Sequence, residues 1–218
     1  MKLAPSILAA DFAHLADDVA RVAADVDLLH VDCMDGHYVP NLSIGPPVVA
    51  SLRKATDLYL DCHLMVANPG SLLEMFAAAG ADGITVHVEI GTTDSLIERI
   101  RALGCDVGLT LEPATPFGAV EPFLDRIDTL LVMSVQTGFG GQAFIPEVLT
   151  KVRAARARID DGRLACEIEI DGGIKAHNAA LAVEAGVDIV VAGTAIFGAS
   201  DPAAAAREIR ARCEAVRP

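Results

Sequence analysis

The feature that most constrains this chain is a regular alternation of two hydrophobic patterns, repeated from one end to the other. Short, nearly continuous apolar runs read as strands buried on both faces. The stretches between them carry the wider apolar spacing of helices. Strands are expected at Leu3–Leu8, Leu28–Asp32, Tyr59–Met65, Gly83–His87, Val107–Leu111, Thr129–Ser134, Cys166–Ile170 and Ile189–Ala192. Helices are expected near 12–24, 46–55, 70–79, 94–103, 118–123, 147–160, 176–185 and 202–215. Strands joined through helices pair in parallel by right-handed crossovers. Eight such units in 218 residues fit a closed barrel better than an open sheet, since such barrels run to about 250 residues. No linker or low-complexity stretch interrupts the pattern. The expectation is therefore an α/β protein, a single (β/α)8 TIM barrel domain over residues 1–218.

Local signals agree with the count. Asp11 is placed to cap the helix in FAHLADDV, and Ser71 or Asn68-Pro69 to open LLEMFAAAG. Gly80, Gly104 and Gly186 each follow a helical run, where a left-handed C-cap is expected. The fragments AAGADGITV and EAGVDIVVAG resemble each other, each reading as helix end, Gly turn, Asp and strand.

Composition narrows the partners. Seventeen basic residues against 30 acidic ones give a formal charge of −13, which disfavours nucleic acid and anionic membrane surfaces. A small phosphorylated ligand stays compatible, because backbone dipoles bind phosphate locally. The five cysteines (33, 62, 105, 166 and 213) are odd in number and form no CxxC pair, which suits a reducing cytoplasm. KLAPSILAADF has no signal-peptide character, and no apolar run approaches the roughly 20 residues needed to cross a bilayer.

The chemistry is concentrated at strand ends. His30 and Asp32 sit two apart on one strand and share a face. Asp61, His63 and Met65 share a face of the next strand. Asp171 ends the seventh, in phase with Glu167 and Glu169. Strand interiors seldom carry such groups idly, since an unpaired buried charge costs several kcal/mol. His30, Asp32, His63 and Asp171 are a donor set for one divalent cation: Zn, Fe, Mn or Co rather than Ca or Mg. Two carboxylates also suit a reaction that removes a proton from one face of a carbon and returns it to the other. Asp61 and Glu169 would orient the ligands or simply bond to each other inside the barrel.

Three glycine turns follow late strands: Gly138-Phe139-Gly140-Gly141, Asp171-Gly172-Gly173 and Ala192-Gly193-Thr194. Loops after the last strands are the usual phosphate site of such barrels, because glycines let backbone N–H groups approach phosphate oxygens. Met34, Met65 and Met133 also fall near strand ends, either as core filler or as a soft wall to the site.

Taken together, APSILAADFAHL, HVDCMDGHYVPNLSIGPPVV, DCHLMV, LEPATP, LLVMSVQTGFGGQAFIPEVL, EIDGGI and VAGTAIFG resemble the ribulose-phosphate 3-epimerase family over essentially the whole chain. The resemblance implies a barrel with a ribulose-phosphate-binding-type phosphate site. It implies an isomerase of the pentose phosphate pathway that interconverts D-ribulose 5-phosphate and D-xylulose 5-phosphate, by two-base proton transfer at C3 through a cis-enediolate. It places the metal on His30, Asp32, His63 and Asp171, and the acid/base pair on Asp32 and Asp171. The substrate would meet Ser6, His63, Gly138, Phe139, Gly140, Gly141, Asp171, Gly172, Gly173, Gly193 and Thr194. Met34, Met65 and Met133 would line the reacting centre. It also implies a homo-oligomer, a dimer or a hexamer.

The chain departs from the family's usual pattern at Gln136-Thr137, where a Pro is common, at Val88-Glu89-Ile90, and at Glu112, where Asn is frequent. These positions leave open a 3-epimerase of a ketohexose 6-phosphate such as allulose 6-phosphate. A decarboxylase or aldolase on a similar barrel would need a mouth lysine, for which Lys175 is the candidate. A non-catalytic sugar-phosphate sensor would have no use for two carboxylates.

Overall fold

The protein is described by a computed structural model covering residues 1–216. Eight strands run from the N-terminus to Ala192: β1 (Lys2–Pro5), β2 (Leu28–Met34), β3 (Tyr59–Met65), β4 (Gly83–His87), β5 (Asp106–Leu111), β6 (Thr129–Met133), β7 (Glu167–Asp171) and β8 (Ile189–Ala192). They form one parallel sheet in the order β1-β8-β7-β6-β5-β4-β3-β2. A single parallel bridge from Ser6 to His30 ties β1 to β2 and nearly closes the barrel. The helices are α1 (Leu15–Val22), α2 (Pro46–Arg53), α3 (Leu73–Ala79), α4 (Thr93–Ala102), α5 (Leu149–Gly162), α6 (Ala179–Ala185), α7 (Thr194–Phe197) and α8 (Pro202–Glu214).

The alternation of side chains along each strand divides the core in two. Outward residues such as Leu29, Val31, Leu60, Leu64, Ile168 and Ile170 join one large cluster with the helices. At about 25 cal/mol per Å² of apolar surface removed from water, that layer supplies most of the favourable free energy. Apolar packing inside the barrel is confined to small groups, Ala4-Leu28-Ile189-Val191 at one level and Leu131-Met133-Val135 at another. Met34, Met65 and Val39 form a third group at the mouth, and many of the other interior positions are polar. The outer layer is what allows His30, Asp61, His63, Thr85 and Glu169 to be buried.

The two similar fragments seen in the sequence belong to a device used four times. An aspartate just before every second strand accepts the N–H of the second residue of the preceding strand and pairs with an arginine from a helix. Asp27 takes Leu3 N and Arg210, Asp82 takes Leu60 N and Arg53, Asp128 takes Val107 N and Arg101, and Asp188 takes Ile168 N and Arg156. Such partly exposed pairs each contribute about 1 kcal/mol or less, but they set where neighbouring strands begin.

Several boundaries differ from expectation for local reasons. β1 stops at Pro5 because the chain enters a 3-10 turn at Ile7–Ala9, capped by Ser6 Oγ accepting from Leu8 N. The first helix starts at Leu15 rather than near 12, since the Asp11 carboxylate accepts from Ala13 N and contacts His14 Nδ1 in a preceding turn. Neither Ser71 nor Asn68 caps α3; Pro69–Ser71 is a separate 3-10 turn. The helix expected over 118–123 is two 3-10 turns, Phe117–Ala119 and Glu121–Phe123. Pro122 lacks an N–H and would clash with the carbonyl one turn earlier in an α-helix. The short α7 was not anticipated. Gly80, Gly104 and Gly186 do adopt positive φ, at 97°, 79° and 114°.

Candidate active site

Register brings the polar side chains of β2 and β3 side by side: His30 pairs with Asp61, Asp32 with His63, and Met34 with Met65. Across the mouth, Met133 of β6 pairs with Asp171 of β7. In the strand order, β1 and β8 lie between β2 and β7. Asp32 and Asp171 therefore reach the mouth from different sides.

His30 is fully buried and its Nδ1 faces Asp61 Oδ2 at 2.7 Å and Glu169 Oε1 at 3.4 Å. Its Nε2 has no hydrogen-bond partner, although Asp32 Oδ1 lies 3.4 Å away. Asp32 Oδ1 also sits 3.2 Å from His63 Nδ1, and Asp32 Oδ2 accepts from Ser6 Oγ at 2.6 Å. One donor atom from each of His30, Asp32, His63 and Asp171 lies within 4.8 Å of the others. An orphaned, buried imidazole nitrogen beside two carboxylates and a second imidazole suits a cation better than any protein partner. The four residues could hold one divalent metal ion.

The two carboxylates differ electrostatically. Burial pushes Asp32 up, but His30 and His63 more than offset it and hold its carboxyl far below the usual range. Asp171 accepts no side-chain hydrogen bond among the described residues, and burial followed by the Asp32 charge raises it to about 6. Burial would lower His30, yet Asp32 and Asp61 raise it well above an ordinary imidazole. Burial and then the charge of Asp61 raise Glu169 to about 8, and neither of its oxygens has a hydrogen-bond partner.

Above this cluster opens a cavity of about 370 Å³. Ser6, Asp32 and Asp171 reach it, as do Met34, Met65 and Met133. His30 and His63 lie below its floor, fully buried. The other wall consists of Gly138, Phe139, Gly140 and Gly141, then Gly172 and Gly173, then Gly193 and Thr194. No lysine or arginine lines it, so an anion there must rely on backbone N–H groups. Lys175 is not part of the wall. Gly172 and Gly173 have φ of 122° and 67°, and a Cβ on either would fall within 2.5 Å of Val135 or Phe144 atoms. The close approach of these loops thus requires glycine.

Three contributors escaped the sequence reading. Asn41 Nδ2 donates to Gly138 O at 2.8 Å, and Gln142 Nε2 donates to the carbonyls of Gln136 and Phe139, so both brace the glycine loop. Their only sequence signal is position in turn-rich segments. His87 faces His63, with 2.9 Å between the Nε2 atoms. The departures at Glu112 and Gln136-Thr137 explain one another: both Gln136 Nε2 and Thr137 Oγ1 donate to the Glu112 carboxylate. That contact ties the loop after β5 to the glycine loop after β6.

Residues 2–197 match the model of the Ribulose-phosphate 3 epimerase family. A ribulose-phosphate 3-epimerase of Mycobacterium leprae is 52% identical over 99% of this chain and 96% of that protein. One from Escherichia coli is 46% identical over 91% of this chain and 90% of that protein. The fold is similar to that of KGPDC from Streptococcus mutans in complex with D-R5P, with a TM-score of 0.77, 19% identity and coverage of 100% and 99% of the two chains. It is also similar to 3-hexulose-6-phosphate synthase from Salmonella typhimurium, with a TM-score of 0.75, 21% identity and full coverage of both chains. At those identities the structural likeness concerns the barrel alone.

Proposed function

We propose, from the premise that this chain belongs to the ribulose-phosphate 3-epimerase family, that it interconverts D-ribulose 5-phosphate and D-xylulose 5-phosphate by two-base proton transfer at C3. The observation that carries the mechanism is the pair Asp32 and Asp171. They reach one cavity from β2 and β7, one held firmly ionised and the other raised to about 6. A single base would return a proton to the face it came from; inversion needs a donor on the opposite face.

The C3 proton is acidic because it lies α to the C2 ketone. One carboxylate removes it while the other, protonated, delivers to the far face, and the roles exchange in the reverse direction. The two form a coupled pair sharing one proton per resting state. Ser6 Oγ fixes the orientation of Asp32 by bonding its Oδ2. His30, Asp32, His63 and Asp171 would hold a divalent cation, which when bound would supply Lewis-acid stabilisation of negative charge developing on the substrate oxygens. The phosphate lies against the glycine loops, and Met34, Met65 and Met133 form a soft, water-poor wall at the reacting carbons. The ligand set favours Zn, Fe, Mn or Co.

The decisive experiment is incubation of the protein with ribulose 5-phosphate in D₂O, with and without chelator. The expected result is deuterium at C3 of both sugars, lost on chelation and restored by metal. Absence of exchange with any ketose phosphate would overturn the epimerase reading. The Glu112–Thr137 contact beside the glycine loop favours weighing one other substrate class, ketohexose 6-phosphates. Comparing kcat/KM for ribulose and allulose phosphates decides, with the pentulose expected to be preferred.

Residues 1–218 are read as one domain that works as a homo-oligomer, dimer or hexamer, in the cytoplasm. All five cysteines are free and buried, which supports a reducing compartment. No helix among the described residues is long and apolar enough to cross a membrane.

A further inference from the structure

We propose that His87 and Glu89 are positioning residues that dictate which nitrogen of His63 carries its proton, and so hold His63 ready as a metal ligand. The inference rests on the metal reading above and extends it to two residues that touch neither cavity nor substrate.

His63 within β3 and His87 at the end of β4 are buried, with relative exposures of 0% and 1%. Their Nε2 atoms lie 2.9 Å apart, and the rings are nearly parallel, 25° between planes. Two imidazole nitrogens at that distance must share one proton: one donates and the other accepts. Both rings are buried, which disfavours charge on either. With neutral rings only two arrangements exist. In one, His63 Nε2–H donates to His87, which leaves the His63 Nδ1 lone pair directed at Asp32, toward the cation position. In the other, His87 donates, so that His63 must carry its proton on Nδ1 and cannot bind metal there.

Without a cation, Asp32 Oδ1 at 3.2 Å from His63 Nδ1 draws the proton toward the second arrangement; the far side of His87 opposes it and favours the first. His87 Nδ1 faces Glu89 Oε2 at 3.3 Å and Glu112 Oε1 at 3.8 Å. A proton on Nδ1 is attracted by both carboxyl groups, whereas a lone pair there would be repelled by them. Glu89 is itself fixed, because its Oε1 accepts from Glu112 N at 2.8 Å and from Thr115 Oγ1. Its contacts with His87 and Thr115 override burial and hold its carboxyl down to about 2. Tyr38 packs on the other side of the His87 ring, with 4.7 Å between centroids. The result is a carboxylate–imidazole–imidazole chain that, with a cation beside Asp32, gives every proton one place to be. His30 obtains the same effect in one step, from Asp61 on its Nδ1, which leaves Nε2 as its open donor. Carboxylates that orient metal-binding imidazoles in this way commonly change affinity by about 10–100-fold.

The test uses the intact protein stripped of metal, with Zn²⁺ affinity measured by competition against a chromophoric chelator. His87→Leu removes the acceptor for His63 Nε2–H and should weaken Zn²⁺ binding by about 10–100-fold. His87→Gln keeps an acceptor oxygen and should bring affinity back to within about threefold of wild type. A leucine variant within threefold of wild type, or a glutamine variant no better than leucine, overturns the proposal. A wild-type protein that binds no Zn²⁺ would instead overturn the metal reading beneath it. If the leucine variant does not fold, ¹⁵N-imidazole NMR of the Zn²⁺-loaded wild type decides. The expected pattern is His63 protonated on Nε2 and ligated through Nδ1, with His87 protonated on Nδ1; the reverse pattern overturns the proposal.

Discussion

Replacing Asp171 by Asn should make the metal-free protein more stable while disabling it. The carboxylate accepts no side-chain hydrogen bond among the described residues, so the amide breaks none, and it removes a charge facing Asp32. The folded carboxyl titrates near 6 rather than at its ordinary 3.8, through burial and then the Asp32 charge. A group raised on folding contributes stability that is present below its unfolded value and lost as pH rises through the folded one. Above both values the gap corresponds to roughly 3 kcal/mol. Asp171 is half-buried and opens onto the cavity, so solvent screening reduces the expected effect to about 2 kcal/mol. For a chain of this size that corresponds to about 4–8 °C in Tm. Calorimetry in chelator should show the variant melting higher by this amount at pH 8, with the difference closing below pH 4. Turnover of ribulose 5-phosphate should fall by at least about 10³, or roughly 4 kcal/mol in the barrier, since the proposed mechanism gives Asp171 the roles of base and ligand together. A variant that melts lower at pH 8, or retains near-normal turnover, would refute the reasoning.

Other outcomes follow from neighbouring groups. Asp32→Asn should also abolish turnover but lower apo stability by about 1–3 kcal/mol near neutrality, because it weakens contacts to Ser6, His30 and His63. Asp32 is depressed on folding, so this loss should shrink as pH falls below 3.8. Glu169→Gln should raise Tm of the apo protein at pH 9, where ionising a fully buried carboxyl held near 8 costs on the order of 5 kcal/mol; below pH 4.5 the two proteins should melt alike. Gly173→Ala would place a Cβ 2.4 Å from Phe144 N at a φ of 67°, costing about 1–2 kcal/mol in backbone strain alone. It should raise KM for sugar phosphates more than it lowers kcat; an unchanged KM would argue against phosphate at this loop.

Much of the barrel was legible because its signals are local and repeated. The apolar runs place all eight strands to within a few residues, and side-chain parity alone puts His30 with Asp32, and Asp61 with His63, on inward faces. What escaped depends on contacts between segments distant in sequence. Pro122 shortens an expected helix to 3-10 turns, and the carboxylate of Asp11 forms a turn where a cap was expected. Asp61 and Glu169 had two equal readings. In the structure Asp61 bonds His30, while Glu169 sits 3.4 Å from it with both oxygens lacking hydrogen bonds. His87 was passed over because a lone histidine on a strand is indistinguishable from a core residue until its neighbour across the ladder is known.

The sequence by itself determined the period of the fold, the chemical groups on each strand and the family. Those are properties of spacing and residue type, which the unfolded chain already possesses. Only the tertiary structure decided that Ser6 meets His30 to close the sheet, that Asp32 and Asp171 enter one cavity from different sides, and that they hold their protons so differently. Those outcomes depend on burial and on distances of a few ångströms between residues far apart in sequence, where removal of water strengthens every charge interaction.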